Sequence, residues 1–478
     1  MTSAAASPVR VRFSPAPSGE LHVGSARTAL FNWFEARHIG GSFLLRIEDT
    51  DASRTREEWI DAIGDTLGWL GIDWDEPPVR QSTRADAYLA AAEQLLASGH
   101  AYETFETPEE LEAINAERKE AKLPPGYDGR GRELTPEQRK ALAAEGRPRT
   151  IRFRTPDTGT SSFVDLVRGP VSVEWATISD FVIVRSDGKP LFFLANAVDD
   201  IAMGITHVIR GEDLLDTTHR VLALRAALGD TEPPEYAHLP LILRADRAKL
   251  SKRHGAVAVE DFRARGILPE ALLNYLALLG WSPGDDREVM TRDEIVASFS
   301  LEHVTKSAAV FDEKKLEWMN GEWIRRLDRG ELAARVRPLM IERYGAGVTE
   351  DLLDEVVAIA QERATTLVSI VEQSDFLFVT EENFSIDDDA WQRVVNAERG
   401  RDVLNAAIAH VEKCDWTVDA IDLRPAISDL GMKPGKVMFV LYAATEGRAA
   451  GLPVFDSIHL LGRERALGRL RAARERLA

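Results

Sequence analysis

Apolar and polar residues alternate along VRVRFS (residues 9–14), and this period of two predicts a strand that ends at Pro15. In ARTALFNWFEARHIG (26–40) the apolar positions move to helical spacing, and the stretch stops at Gly40 and Gly41. SFLLRIEDT (42–50) predicts a mostly apolar strand ending in acids. SRTREEWIDAIGDTLGWLGI (53–72) and ADAYLAAAEQLLASG (85–99) predict helices. The chain therefore opens β–α–β–α–α, the pattern of a parallel sheet with helical crossovers.

From residue 101 the pattern changes. AYETF predicts a strand, TPEELEAINAERKEAK a charged helix, and LPPGYDGRGREL an irregular stretch. Strands resume at RTIRFRT and VDLVRGPVSVEW. DFVIVRSDGKPLFFLANAVDD (180–200) reads as a strand, a glycine-containing turn and a second strand. THVIRGEDLL and TTHRVLALRAALG form a strand–helix unit, and AHLPLILR reads as a strand before the loop ADRAKLSKRHGAV. The α/β layer is thus split, with its halves at 1–100 and 190–255 around an inserted α+β module at 101–189. After residue 256 strand signals fade and helices follow to the end, with a boundary expected near residue 325.

Composition adds bounds. A chain of 478 residues needs several domains. One cysteine, Cys414, excludes a disulfide framework and any cysteine-based zinc site, and fits a reducing compartment. No run reaches the apolar length of a membrane span, and MTSAAASPVR lacks the apolar core of a signal peptide, so a cytoplasmic protein with no membrane partner is expected. The net charge of −19 speaks against an all-over basic footprint for nucleic acid, but a total says nothing of patches. The arginine-rich end, LGRERALGRLRAARERLA, reads first as a solvated helix end.

Two loops carry candidate chemistry. SPAPSGELHVGS (14–25) joins the first strand to the first helix. A helix N-terminus there offers unpaired N–H groups and partial positive charge to phosphates, Gly24 allows close approach, and His22 can donate to a phosphate oxygen. It is not a Walker loop, because no lysine follows. KLSKR (249–253) follows the last strand, and its lysines can neutralise charge that develops on a leaving pyrophosphate. Either loop alone reads first as a surface turn.

Together they resemble the two signatures of the class I aminoacyl-tRNA synthetases, "HIGH" and "KMSKS". RFSPAPSGELHVGSARTALFNWFEARHIGGSFLLRIEDTD, LLNYLALLGW, ITHVIRGEDLL and FDEKKLEWMNGEWI narrow the likeness to the bacterial glutamyl-tRNA synthetases over almost the whole chain. The resemblance implies a split Rossmann-type nucleotide-binding domain. It makes 101–189 the acceptor-end-binding module, 256–325 a stem-contact region and 326–478 a helical anticodon-binding region. It implies ATP with Mg²⁺, L-glutamate and glutamate tRNA as substrates, no zinc, and a monomer.

The same resemblance assigns residues. His22, Lys249, Ser251 and Lys252 would be catalytic. Pro15, Gly19, His22, Gly24, Ser25 and Lys252 would hold ATP. Arg12, Ser14, Glu48, Phe192, Asn196 and Arg210 would hold glutamate. An arginine fork suits a carboxylate and fits an amide poorly. Arg363 would read the third anticodon base and make the enzyme discriminating. The alternative is a non-discriminating enzyme that also charges glutamine tRNA. The chain departs from the family at Ala16, where a serine is usual, and at Phe192, where a tyrosine is common. A truncated relative, a small-molecule nucleotidyltransferase and an inactive RNA-binding paralogue are the other readings of the same loops.

Overall fold

The computed structural model describes residues 8–51, 53, 55–122, 126–248, 250 and 257–477. The chain divides into two compact units, residues 1–261 with 272–312, and residues 262–271 with 313–478.

In the first unit, strand β1 (Arg10–Phe13) leads through the SPAPSG loop into helix α1 (Val23–Ile39). Its partner is the parallel strand β2 (Ser42–Ile47), with Val11 opposite Phe43 and Phe13 opposite Leu45. Helix α1 is buried on most sides, from Val23 and Ala26 through Phe31 and Phe34, which marks a central crossover rather than a surface helix. It ends where the pattern required: Gly40 takes a left-handed φ of 68° and its N–H caps Ala36. Gly41 follows because a Cβ there would sit 2.5 Å from the Val9 carbonyl. Helix α2 (Glu57–Trp69), strand β3 (Val79–Arg80) beside β2, and helix α3 (Ala85–Ala97) complete the first half.

Strand β4 (Ala101–Thr104) begins the middle segment, followed by helices α4 (Pro108–Glu120) and α5 (Pro136–Ala144). Both helices start on a threonine capping box with proline in the first turn, as their sequences dictate. Strands β5 (Thr150–Phe153), β6 (Thr160–Asp165), β7 (Gly169–Glu174) and β8 (Phe181–Val184) come next. They do not form one sheet. Strands β4, β5 and β8 pair antiparallel, whereas the β6–β7 hairpin joins another sheet through Asp165, which pairs with Tyr236.

The segment 191–202 is helix α6 (Phe192–Ala202), not a second strand. Leu194, Ala197, Val198 and Ile201 repeat at helical spacing, and the helix buries Asp199 and Asp200 side by side. A strand would have sent these two acids to opposite faces. Strand β9 (His207–Gly211), helix α7 (Thr218–Ala227) and strand β10 (Glu235–Leu239) follow. AHLPLILR is also two strands, since Pro240 ends β10 before the short β11 (Ile242–Leu243). Its partner is β12 (Ala309–Val310), a strand beyond residue 256 where only helices were expected. Parallel pairing of β9 with β10 puts Arg210 opposite His238. Thr206, just before β9, exchanges hydrogen bonds with Arg10 of β1, at 2.8 Å into its Oγ1 and 3.0 Å from its N–H, and so brings the two halves edge to edge.

The second unit is helical, from Glu313–Arg326 to Arg463–Arg476, around Leu316, Met319, Leu332, Val336, Leu353, Val356 and Ile370. Its arginine-rich last helix is not simply solvated. Arg469 is 2% exposed; it donates to the carbonyls of Thr445 (2.7 Å) and Phe376 (3.0 Å), pairs with Glu381, and lies over the Phe384 ring. Arg463 and Arg465 likewise donate to backbone carbonyls, among them those of Cys414 and Val379. No helix among the described residues is long and apolar enough to cross a membrane.

Arg469→Met keeps the aliphatic stem and strips two buried carbonyls of a charged donor. It is expected to lower stability by about 2–4 kcal/mol in urea unfolding monitored on a helical signal. A loss under about 0.5 kcal/mol would return Arg469 to the ordinary surface class.

Candidate active site

The loop after β1, the start of α1, the start of α6 and the ends of β9 and β10 enclose a cavity of about 350 Å³. Among its lining residues are Arg12, Ser14, Pro15, His22, Gly24, Ser25, Glu48, Phe192, Asn196 and Arg210, ten residues singled out from sequence. Ala16, Arg27, Asp213 and Leu250 also line it. Gly19 lies in the same loop with φ at 150°, a value that favours glycine. Lys249, Ser251 and Lys252 fall outside the described residues, although their neighbour Leu250 reaches the cavity wall.

The start of α1 is built differently from a bare phosphate-binding turn. His22 is the N-cap, and its Nδ1 accepts the Gly24 N–H at 2.9 Å. That bond assigns the imidazole proton to Nε2. The Val23 N–H is also taken, by the Val257 carbonyl at 2.9 Å. Two of the N–H groups expected to be open are therefore satisfied, and the helix offers a ligand its dipole and the His22 imidazole. A Cβ on Gly24 would lie 3.2 Å from His22 Nδ1, so the glycine makes room for this cap.

Below the loop sits a cluster of buried charge. Arg12 is only 3% exposed, although the strand alternates polar and apolar; both faces of β1 are covered, and this polar face turns inward. Its Nε and Nη2 donate to the two oxygens of Asp200, at 3.1 and 3.4 Å. Arg46 of β2, fully buried, donates from Nη1 to the same Asp200 at 2.5 Å and from Nη2 to Glu48 at 3.3 Å. The adjacent Asp199 accepts from Gln81, Arg84 and the Tyr88 hydroxyl, at 2.9, 2.7 and 2.8 Å. Burial works against the Asp200 charge, but Arg12 and Arg46 hold its carboxyl well below the usual carboxylate range. Glu48 goes the other way: burial raises it, with Arg46 and Arg12 offsetting only part of the rise.

Arg210 reaches the cavity from β9. Its Nη2 donates to Thr218 Oγ1 (2.7 Å), to the Leu214 carbonyl (3.1 Å) and to Thr217 Oγ1 (3.2 Å), and its Nε points at His238. It is not the ion-pair partner of Glu212, which pairs with Arg168 instead. All the partners of Arg210 are neutral. Burial first, and the like charge of Arg12 second, lower its guanidinium to about 10, which leaves it charged at neutral pH.

Ser14 contributes a hydroxyl that is buried against the cavity with no hydrogen-bond partner. Phe192 opens α6, and Asn196, one turn on, is 2% exposed. In the second unit, Arg363 lies in the turn after the helix Glu350–Ala360, exposed, with Nη1 3.5 Å from the Tyr442 hydroxyl. Nothing in the sequence singled out Arg46, Asp199 or Asp200. The only trace was the polar Asp-Asp pair inside an apolar run, a sign of buried partners.

Comparison with known proteins places these features in context. A family model described as the catalytic domain of class I tRNA synthetases (E and Q) matches residues 8–318, and one described as an anticodon binding domain matches 331–474. A protein named glutamate–tRNA ligase from Desulforudis audaxviator is 43% identical, covering 97% of this chain and 95% of the relative. One of the same name from Frankia casuarinae is 45% identical, covering 98% of each. The crystal structure of a glutamate tRNA ligase from Elizabethkingia meningosepticum in complex with its amino acid superposes with a TM-score of 0.85 at 33% identity, over 99% of this chain and 100% of that one.

Buried Asp200 and half-buried Glu48 on the cavity wall predict stability changes of opposite sign. Asp200→Asn takes from Arg12 its carboxylate and from Arg46 its shortest ion pair, and should cost about 3 kcal/mol or more. The Asp200 contribution is complete above the unfolded carboxyl value of about 4 and is lost only as pH falls through the lower folded value. Glu48→Gln should stabilise the fold at neutral pH, because the ionised Glu48 is disfavoured on burial. That gain should shrink as the pH falls from the raised folded value and vanish below about 4, where the wild-type carboxyl becomes protonated in both states. Thermal unfolding of both variants between pH 4 and 8 checks this, and a destabilised Glu48→Gln at neutral pH would contradict the assignment.

Proposed function

This chain belongs to the class I tRNA synthetases of the glutamate and glutamine branch, and from that premise we propose that it is a discriminating ligase joining L-glutamate to glutamate tRNA. The observation that carries the substrate is the pair of buried arginines, Arg12 and Arg210, on the wall of one small cavity beside a helix start capped by histidine. Near-full-length relatives named glutamate–tRNA ligase support the ligase part of this reading.

In this reading the glutamate carboxylates take donors from Arg12 and Arg210, while Glu48 lies near the ammonium. Asp200 occupies Nε and Nη2 of Arg12, which leaves Nη1 outside that pairing. Glutamine would leave a buried guanidinium facing an amide, a poor match that costs affinity. The substrate α-carboxylate oxygen attacks the α-phosphorus of ATP. One P–O bond forms, the bond to the bridging oxygen breaks, and pyrophosphate leaves with the electron pair. Glutamyl-adenylate then passes its acyl group to the terminal ribose hydroxyl of the tRNA, and AMP leaves. His22 donates from Nε2 to the phosphates, and the start of α1 adds its dipole. Lys249, Ser251 and Lys252 are assigned to the leaving pyrophosphate. Catalysis is positioning and charge stabilisation, with no covalent enzyme intermediate. Mg²⁺ enters with the ATP on its phosphate oxygens, the usual mode for this cation. We take the enzyme to be a cytoplasmic monomer, with residues 101–189 at the acceptor end and residues 326–478 at the anticodon.

Ala16 and Phe192 remove two hydroxyls from the expected glutamate contacts, and Ser14 sets an unpartnered hydroxyl two residues before Ala16. Each missing hydroxyl is worth about 1 kcal/mol. The double variant Ala16→Ser Phe192→Tyr should therefore lower KM for glutamate by up to about thirtyfold and leave KM for ATP unchanged. An unchanged glutamate KM would overturn the expected loss of these two contacts.

ATP–pyrophosphate exchange tests the function itself. Exchange should depend on glutamate, be absent with glutamine, and require glutamate tRNA. No exchange under any condition would indicate an inactive RNA-binding paralogue. The discriminating assignment rests on Arg363, exposed beside Tyr442. Arg363→Gln should raise charging of glutamine tRNA relative to glutamate tRNA. Equal charging of both tRNAs by the unaltered protein would sink that part.

A further inference from the structure

Arg210 is held from behind by a chain of side chains that never touches the cavity. Its Nε donates to His238 Nε2 at 3.1 Å, across the register pair that joins β9 and β10. His238 Nδ1 in turn lies 2.6 Å from Asp165 Oδ2, at the end of β6. The three residues stand on three neighbouring strands of one sheet, and His238 and Asp165 are 0% and 1% exposed.

The proton positions follow from what each group can do. A guanidinium has donors only, so His238 Nε2 must present a lone pair to Arg210. Thr218 Oγ1, 3.3 Å from the same Nε2 and 2.7 Å from Arg210 Nη2, fits between them as donor to one and acceptor from the other. The imidazole proton therefore sits on Nδ1 and points at Asp165. Asp165 is a settled acceptor there, since it also takes the N–H groups of Val167 (2.9 Å), Arg168 (2.7 Å) and His238 (3.1 Å). Tyr236 and Phe163 lie beside the imidazole, with ring centres 6.1 and 6.3 Å away and the Tyr236 ring within 7° of its plane.

We propose that Asp165 and His238 are positioning residues for the substrate arginine: Asp165 fixes the Nδ1–H tautomer of His238, and His238 Nε2 fixes the guanidinium of Arg210 in one orientation toward the cavity. The inference rests on the assignment of Arg210 to glutamate. It also gives the β6–β7 hairpin a part in amino-acid recognition, although that hairpin lies in the segment expected to serve the acceptor end.

Three variants test it by steady-state aminoacylation. Arg210→Ala first tests the underlying assignment; if it leaves KM for glutamate unchanged, that assignment fails whatever His238 does. With that assignment standing, His238→Phe, which keeps the ring and removes both nitrogens, should raise KM for glutamate about tenfold or more, the size of one hydrogen bond to a charged group, with KM for ATP within about twofold. His238→Gln returns an acceptor to the Nε2 position and should recover most of the loss. An unchanged glutamate KM in His238→Phe, an equal rise for both substrates, or a Gln variant no better than Phe would overturn the positioning role. The tautomer is read independently of any variant's folding, from a long-range ¹H–¹⁵N spectrum of the histidine-labelled wild-type enzyme. A proton on Nδ1 of His238 supports the chain of bonds, and a proton on its Nε2 overturns it.

Discussion

Two guanidinium groups sharing one carboxylate inside the protein is the constraint on which the α/β unit depends. Removing one partner of a buried ion pair costs several kcal/mol, so Arg12, Arg46 and Asp200 must arrive together or not at all. They come from β1, β2 and α6, and the first and last are separated by 188 residues. Parallel pairing of β1 with β2 and the helical turn at Asp199 and Asp200 are therefore coupled: a misplaced α6 leaves Arg12 unpaired and Arg46 with Glu48 alone. The same requirement sets the site, because the far side of this cluster is the cavity wall.

The cluster also distributes charge unevenly. Arg12 is largely neutralised by Asp200, and Asp199 is occupied by Arg84, Gln81 and Tyr88. Arg210 has no carboxylate of its own. At the helix start, His22 satisfies the Gly24 N–H and so trades a backbone donor for an imidazole with its proton on Nε2. One end of the cavity thus carries an uncompensated cation and the other a dipole with a single directed donor. Under the proposed function, an acidic amino acid and a nucleotide phosphate would make unlike demands on these two ends.

How much of this was legible in the sequence depends on the range of the interactions. Strand β1, helix α1 with its glycine stop, and the threonine-capped helices α4 and α5 are set by neighbours a few residues away, and periodicity and capping rules read them directly. Helix α6 was misread because burial of Asp199 and Asp200 breaks the apolar pattern, and its explanation lies in arginines more than 100 residues distant. The burial of Arg12 was hidden for the same reason: alternation suggests a half-exposed strand, and only helices on both faces turn its polar side inward. His22, Arg12 and Arg210 were found through motif likeness, which carries long-range information that local physics lacks. Asp165 and His238 had no such motif, and their roles follow only from the register of three strands.

The lack of a carboxylate beside Arg210 has a consequence for specificity. A guanidinium already paired to an acid gains little more from a substrate carboxylate than from an amide, since the local field is mostly cancelled. A buried guanidinium bonded only to histidine, threonines and a carbonyl keeps its full charge in a low-dielectric setting. Burial and Arg12 already press Arg210 toward losing its proton, and an incoming carboxylate relieves both effects at once. An amide of the same shape relieves neither. If the cavity takes glutamate as proposed, the choice over glutamine weighs more heavily on Arg210 than on Arg12, although the two are about equally buried. The fold then has a reason to hold Arg210 by neutral acceptors: a carboxylate in the place of His238 would steady the guanidinium equally well, but would cancel the charge that recognises the substrate.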